Sequence, residues 1–149
     1  HFMDAGGNWA IGSDSNVRIS LAEECRILEY GQRLTQQKRT LLSKRGESNG
    51  QSLFDCALDG GNRSINPTEK QGLVVGAPAN MVVLDAEHPV FSGKDPSFTF
   101  DSWFFAGGNE CVKDVFVWGT QVISEGEHLS ENIITNRFKA VMKRLADNL

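Results

Sequence analysis

The chain has 149 residues, 40% of them hydrophobic and 23% charged, a composition that is ordinary for a globular protein able to bury a core. The formal net charge is −4 and the Lys and Arg residues are dispersed, which excludes a basic surface for nucleic acid. No apolar run approaches the roughly 18 residues of a membrane span, so a membrane segment is excluded as well.

The N-terminal residues predict a strand that ends at an acidic residue. The chain begins with His1 instead of an initiator methionine, so we expect it to be a piece of a longer protein. Asn8–Gly12 is a mostly apolar run bounded by glycines, as in a buried strand of a parallel sheet. The residues Ser-Asp-Ser-Asn follow, with the carboxylate at Asp14. Such residues stabilise tight turns, whereas a carboxylate at the C-terminal end of a barrel strand faces an active site, and these residues alone leave both interpretations open.

A helix is predicted from Ser20 to about Arg39. Ser20 with Glu23 forms a capping-box signature, in which the two side chains satisfy each other's backbone amides. Four apolar residues fall broadly on one face: Leu21, Cys25, Leu28 and Leu34.

A second, shorter helix is predicted after a loop. Lys44–Gly50 reads as the loop, and Ser52 with Asp55 repeats the capping pattern. We expect Gly60 and Gly61 to end this helix, because glycine is the usual residue just beyond a helix C-terminus.

The pattern changes to short β-rich runs after Pro67. Gly72–Gly76 and Met81–Asp85 are predicted strands, and Val112–Trp118 forms a hairpin with Gln121–Ile123 through the turn at Gly119-Thr120. We therefore expect residues 66–128 to form a small antiparallel β module.

Two further features follow from apolar residues late in the chain. The loop-rich stretch Glu87–Gly108 holds a compact aromatic cluster: Phe98, Phe100, Trp103, Phe104 and Phe105. Ser130 opens an amphipathic terminal helix, which we expect to pack back on its own domain; binding of a partner or a membrane is the alternative. The apolar residues on one face of that helix are Ile134, Phe138, Val141 and Leu145.

The segments "GLVVGAPANMVVLD" and "VKDVFVWGTQVISEG" resemble the C-terminal part of the amidohydrolase superfamily. The resemblance implies an α/β plus β fold: the end of a metal-dependent (β/α)8 barrel, or TIM barrel, and part of a small β-sandwich. Residues 1–65 would be the end of an incomplete barrel, 66–128 the sandwich portion and 129–149 the terminal helix. Asn80 stands where the family usually has an acid, at a position that is structural in the family.

Three segments resemble, within the superfamily, the formiminoglutamate deiminase family: "IGSDSN", "SLAEECRILEYGQRL" and "FDSWFFAGG". Ala10 stands where glycine is common. The resemblance implies a hydrolase that converts N-formimino-L-glutamate to N-formyl-L-glutamate and ammonia in histidine degradation. It also implies that Asp14 is both a ligand of the catalytic metal, Zn²⁺ or another divalent ion, and the acceptor of a proton from the attacking water.

The family's metal-binding histidines, its other catalytic residues and its substrate-binding arginines should all precede residue 1. We therefore expect this polypeptide alone to be inactive and to bind no metal. His1, His88 and His128 lack a metal-ligand spacing with Asp14, and we interpret His88 as a loop residue. The sequence does not decide whether two arginines, Arg18 and Arg33, lie at the surface or contact the substrate.

Two alternatives to this function remain at this stage. One is another deaminase of the superfamily, acting on a guanine-like or triazine-like ring, and the other is a non-catalytic β-sandwich module. For the leading interpretation we expect a small-molecule substrate, formiminoglutamate, and a homodimeric complete enzyme. Three widely spaced cysteines, Cys25, Cys56 and Cys111, read as buried thiols of a reducing compartment, and we expect the cytoplasm.

Overall fold

The computed structural model describes residues 2–3, 5–44, 46–65 and 68–148. Pro67, where the sequence predicts the change to β structure, lies outside these residues, as do His1 and Leu149 at the ends of the predicted segments. The α-helices and strands are, in chain order, α1 (Leu21–Gln36), α2 (Asn49–Ile65), β1 (Met81–Leu84), α3 (Thr99–Phe105), β2 (Val112–Val117), β3 (Thr120–Ser124), β4 (Glu127–His128) and α4 (Glu131–Ala146).

Helix α1 begins where the sequence predicts. Ser20 has an extended backbone, and its Oγ accepts a hydrogen bond from the Glu23 amide at 3.3 Å. The Glu23 side chain does not complete a capping box, because it pairs with Arg18 at 2.9 Å. The buried face of the helix differs from the predicted one: Leu34 is 81% exposed, and the buried residues are Ala22, Cys25 and Glu29.

The buried carboxylate of Glu29 fixes the chain that follows α1. It accepts a hydrogen bond from Arg33 Nε at 2.7 Å and from the amides of Leu41 and Leu42 at 3.3 and 3.2 Å. A buried carboxylate is tolerated when it is paired and hydrogen-bonded in this way. The residues after the helix are therefore held alongside it.

Helix α2 is longer than the sequence predicts at both ends. It begins at Asn49, inside the predicted loop, and the Oγ of Ser48 accepts a hydrogen bond from the Gln51 amide at 3.2 Å. Ser52 is buried within the helix and is not its cap. The helix continues through Gly60 and Gly61 to Ile65 because glycine costs only about 1 kcal/mol inside a helix, which packing offsets.

Two predicted strands are absent from the described residues. Asn8–Gly12 has no sheet hydrogen bonds, although its backbone packs closely on α2, where a Cβ at Gly60 would overlap the carbonyl oxygen of Trp9. Gly72–Gly76 forms turns, and its Leu73 and Val75 side chains are 79% and 96% exposed. Both predictions are wrong for the same reason: a strand exists only when a neighbour satisfies its backbone groups, and the described residues place no strand beside either run.

The described sheet is antiparallel, as predicted, and is a meander of four strands in the order β1-β2-β3-β4. Its members differ from the prediction, since Gly72–Gly76 is not a strand and β4 is not among the predicted strands. Val82 on β1 lies opposite Val115 on β2. The first turn is Trp118-Gly119, with φ values of 51° and 77°, one residue before the predicted Gly119-Thr120 because Thr120 already pairs with Val117. The next turn, Glu125-Gly126, has φ values of 50° and 81°. Positive φ at both turn residues gives a twist that matches antiparallel strands, so each hairpin closes with two residues.

Helix α3 forms the centre of the core, within a stretch that the sequence predicts as loop-rich. Trp103 and Phe104 are buried, and the Phe100 ring stacks on Phe54 of α2 with ring centroids 4.2 Å apart. A Cβ at Gly50 would overlap the backbone of α3, so glycine permits this close approach. The guanidinium of Arg26 on α1 donates to the carbonyl oxygens of Phe104 and Gly107, the former at 2.7 Å.

Helix α4 does not pack on the rest of the domain, contrary to the prediction. None of its residues is buried, and Phe138 and Leu145 are 63% and 56% exposed. The helix follows directly from β4, an edge strand, and the His128 amide donates to Glu131 Oε2 at 3.2 Å, so α4 starts at the sheet edge instead of over its face. Among the described residues, no helix combines the length and the apolar character needed to cross a membrane.

The two neighbouring glycines of α2 provide a matched test of this packing. We expect Gly60→Ala to lower the free energy of unfolding by about 3 kcal/mol, because the added methyl group overlaps the Trp9 backbone. Gly61→Ala enters open space and should raise the free energy of unfolding by about 0.5 to 1 kcal/mol through helix propensity. Urea unfolding followed by circular dichroism measures both, and equal effects would contradict the contact.

Candidate active site at Asp14

Asp14 lies in a tight turn between residues 8–12 and α1. The Asn16 amide donates to the Ser13 carbonyl oxygen at 2.7 Å, and Asp14 has a φ of 42°, in the left-handed region. Among non-glycine residues, Asp and Asn adopt this conformation most readily. The turn interpretation of this segment is therefore correct as local structure, and it leaves the role of the carboxylate open.

The Asp14 carboxylate is accessible to a ligand. The residue is exposed, and among the described residues its carboxylate accepts a hydrogen bond from Ser15 Oγ at 3.3 Å. An exposed carboxylate with so weak a partner fits one ligand of a divalent metal. The described residues contain no group of three or more His, Cys, Asp or Glu that could hold a metal ion. Because a catalytic zinc normally has three protein ligands, the described part of the chain does not form a complete metal centre.

The two arginines that the sequence leaves open are both ion-paired. Arg18 pairs with Glu23, and 73% of its side chain is exposed. Arg33 pairs with the buried Glu29, and its guanidinium lies 5.1 Å from the centre of the Tyr30 ring and 5.2 Å from that of Phe105. The Arg33 contacts stabilise the fold, as expected of a cation that lies against two aromatic rings.

His88 has a structural contact, in agreement with its interpretation as a loop residue. Its Nδ1 accepts a hydrogen bond from the Val90 amide at 3.4 Å and lies 3.7 Å from the Sγ of Cys111. Cys111 is fully buried, and burial raises its pKa. A buried, protonated thiol is a poor nucleophile, so this Cys–His pair does not have the properties of a reactive dyad.

An open groove of about 660 Å³ lies between residues 9–12 and α1. Its apolar lining includes Trp9, Ile11, Ile27 and Leu42, and Glu24 lies at its wall. Asp14 is outside this lining, so the groove is distinct from the turn that holds the carboxylate.

Comparisons with solved structures define the class of fold. An amidohydrolase from Brucella melitensis superposes with a TM-score of 0.86 and 37% identity, over 97% of this chain and 32% of that chain. An adenosine deaminase from Xanthomonas campestris, solved with bound zinc, superposes with a TM-score of 0.75 over 98% of this chain and 32% of that chain. At 20% identity the second likeness shows the fold alone. The chain therefore has the fold of a part of an amidohydrolase.

The comparison with curated proteins is more specific. Formimidoylglutamate deiminase from Pseudomonas aeruginosa is 38% identical over 147 residues, which make up 98% of this chain and 32% of that protein. The resemblance indicated by the three sequence segments is thus confirmed over nearly the whole chain. The chain spans about a third of the length of the relatives it matches. No family model matches it.

The sequence does not reveal two features of the site. The Asn16 side chain donates from Nδ2 to Glu24 Oε1 at 2.8 Å, across eight residues. Asn109 Nδ2 donates to the Ile19 carbonyl oxygen at 2.9 Å, which ties the start of α1 to the chain beyond α3. Neither spacing is a recognised motif, so only the geometry identifies these contacts.

The three cysteines should differ in reactivity. Burial, with a further contribution from the charge of Glu24, raises the pKa of Cys25 to about 12, so its thiol stays protonated at neutral pH. Cys56 is partly exposed, so the prediction of three buried thiols is wrong for this residue. At about pH 8 we expect iodoacetamide to alkylate Cys56 in the native protein, and Cys25 and Cys111 only in denaturing urea. Peptide mass spectrometry measures this order, and equal labelling of Cys25 and Cys56 in the native state would contradict the described core.

Proposed function

We propose that this chain is part of a formiminoglutamate deiminase of the amidohydrolase superfamily. The observation that carries the proposal is the 38% identity to formimidoylglutamate deiminase over 98% of the chain. The exposed carboxylate of Asp14, at the end of the segment that resembles the last barrel strand, supports it. The complete enzyme would hydrolyse N-formimino-L-glutamate to N-formyl-L-glutamate and ammonia.

The chemistry assigns one role to this chain. A divalent metal of the zinc type, when bound by a site to which Asp14 contributes, would make a water molecule more acidic. The Asp14 carboxylate would accept a proton from the water that attacks the formimino carbon. Asp14 would pass this proton to the departing nitrogen, and the hydroxyl group left on the carbon would give up the second water proton as the C=O bond forms. The nitrogen would then have gained both protons, the C–N bond would break and NH3 would leave. Water supplies every atom that the product gains, and no oxidant or reductant is required.

The remaining features of the proposal are the metal ion, the homodimer and the cytoplasmic location. They are supported by the resemblance and are tested by metal analysis, light scattering and fractionation of the complete protein. A related deaminase acting on a guanine-like or triazine-like ring is the second candidate. Assaying guanine and a triazine beside formiminoglutamate distinguishes the two, because a ring deaminase should release ammonia from a ring substrate.

The decisive substitution is Asp14→Asn in the complete protein that carries this chain. Asn tolerates the left-handed conformation of residue 14 as well as Asp does, so the turn is preserved while the proton acceptor is lost. We expect turnover to fall by about a hundredfold or more, with the free energy of unfolding changed by about 1 kcal/mol or less. Ammonia release from formiminoglutamate and bound metal are measured on both proteins.

Asp59→Asn is the matched control. Asp59 is an exposed residue of α2 that pairs with Arg63 at 3.0 Å, so its loss should leave turnover near that of the wild type. Near-normal turnover in Asp14→Asn would refute the assignment of Asp14 and would leave only the turn-forming role.

A further inference from the structure

The turn that carries Asp14 is joined to α1 by a side-chain hydrogen bond. Asn16 ends the turn, and its Nδ2 donates to Glu24 Oε1 at 2.8 Å. The acceptor is a carboxylate, and a hydrogen bond to a charged acceptor is shorter and stronger than one between neutral groups. The bond therefore connects the residue that ends the Asp14 turn, through its side chain, to the first turn of α1.

Glu24 is a fixed attachment point because α1 is anchored on both sides of it. Ser20 caps the helix at its N-terminus, and the neighbouring Cys25 is fully buried. One residue further on, Arg26 binds the carbonyl oxygens of Phe104 and Gly107. A carboxylate in the first turn is also favoured by the helix dipole.

Two further contacts hold the described part of this loop beyond the turn. Arg18 pairs with Glu23 on the surface, and Asn109 holds the Ile19 carbonyl oxygen. Val17, between them and the turn, is fully exposed. These contacts fix residues 18 and 19, whereas the Asn16–Glu24 bond acts on the turn itself.

We propose that Asn16 and Glu24 are positioning residues, which fix the direction of the Asp14 carboxylate in the reaction. The inference rests on the proposed function and assigns these two residues a role in it. Neither of them would touch the reacting atoms. Asp14 has a left-handed backbone, and the Asn16 amide closes the turn around it by donating to the Ser13 carbonyl oxygen, so Asn16 belongs to the turn by its backbone and to the contact with α1 by its side chain. The Asn16–Glu24 bond ties this turn to α1, so its loss would leave the turn, and the carboxylate that the turn carries, free to shift relative to the helix.

The test compares substitutions at both ends of the bond in the complete protein. We expect Asn16→Ala and Glu24→Ala each to lower kcat by about tenfold with KM nearly unchanged, because a small misplacement of a reacting group is costly. Glu24→Gln keeps an oxygen acceptor and should restore most of the turnover. The double variant should be no worse than either single variant, because both remove the same bond.

Glu23→Ala is the matched control, since it removes the adjacent carboxylate from the same turn of α1 without touching Asn16. It should keep the kcat of the wild type. A second measurement does not depend on turnover: bound metal should be lost to a chelator several-fold faster in Asn16→Ala than in Glu23→Ala. Thermal unfolding of each variant establishes that the fold is intact.

The outcomes separate this inference from the proposed function. If Asp14→Asn is inactive while Asn16→Ala keeps the kcat and metal retention of the wild type, the positioning role is overturned and the deiminase assignment stands. A Glu24→Gln variant as impaired as Glu24→Ala overturns the role of the hydrogen bond. If the wild type releases no ammonia from formiminoglutamate, or Asp14→Asn is as active as the wild type, both proposals are overturned.

Discussion

The fold depends on the guanidinium of Arg26 at the C-terminal end of α3. The last carbonyl groups of a helix have no partner within it and carry a partial negative charge, and Arg26 donates to one of them, that of Phe104, and to the carbonyl oxygen of Gly107 just beyond the helix. Its planar fork reaches both at once, which an ammonium group does less well. Through this contact the helix that follows Asp14 is tied to the aromatic core, so the turn at Asp14 has a rigid support.

The parts of the fold that the sequence predicts correctly are those set by neighbouring residues. The Ser20 cap depends on an amide three residues away, and the hairpin near Gly119, predicted to within one residue, depends on two backbone conformations. The predicted strands at Asn8–Gly12 and Gly72–Gly76 fail because a strand depends on a partner that the run itself does not specify. Helix α3 is missed because seven residues between loop segments give too short a periodic pattern.

The candidate site also has one feature that the sequence predicts and others that it does not. The position of Asp14 after an apolar run, together with the family resemblance, is enough to single out its carboxylate. Its left-handed backbone is not specified by any neighbouring residue type, and the bond from Asn16 to Glu24 links residues whose spacing matches no common pattern. The burial of Glu29 could not be predicted either, because a glutamate in a helix is usually exposed. Its partners come 4, 12 and 13 residues later in the chain.

The contact of Arg26 with Phe104 spans 78 residues, whereas the bond from Gln121 to Asp114 in the β meander spans 7. In terms of chain entropy, closing the longer loop costs about 2 kcal/mol more than closing the shorter one. The Arg26 contact therefore depends on the burial of Phe104 and Trp103, which brings the two ends together and offsets much of that entropy. The β2–β3 and β3–β4 hairpins close over two-residue turns, whereas β1 reaches β2 only through the stretch of chain that contains α3. Loss of the core on heating would therefore release β1 together with α1 and the Asp14 turn, and would leave the two short hairpins as the part of the sheet that does not depend on the core.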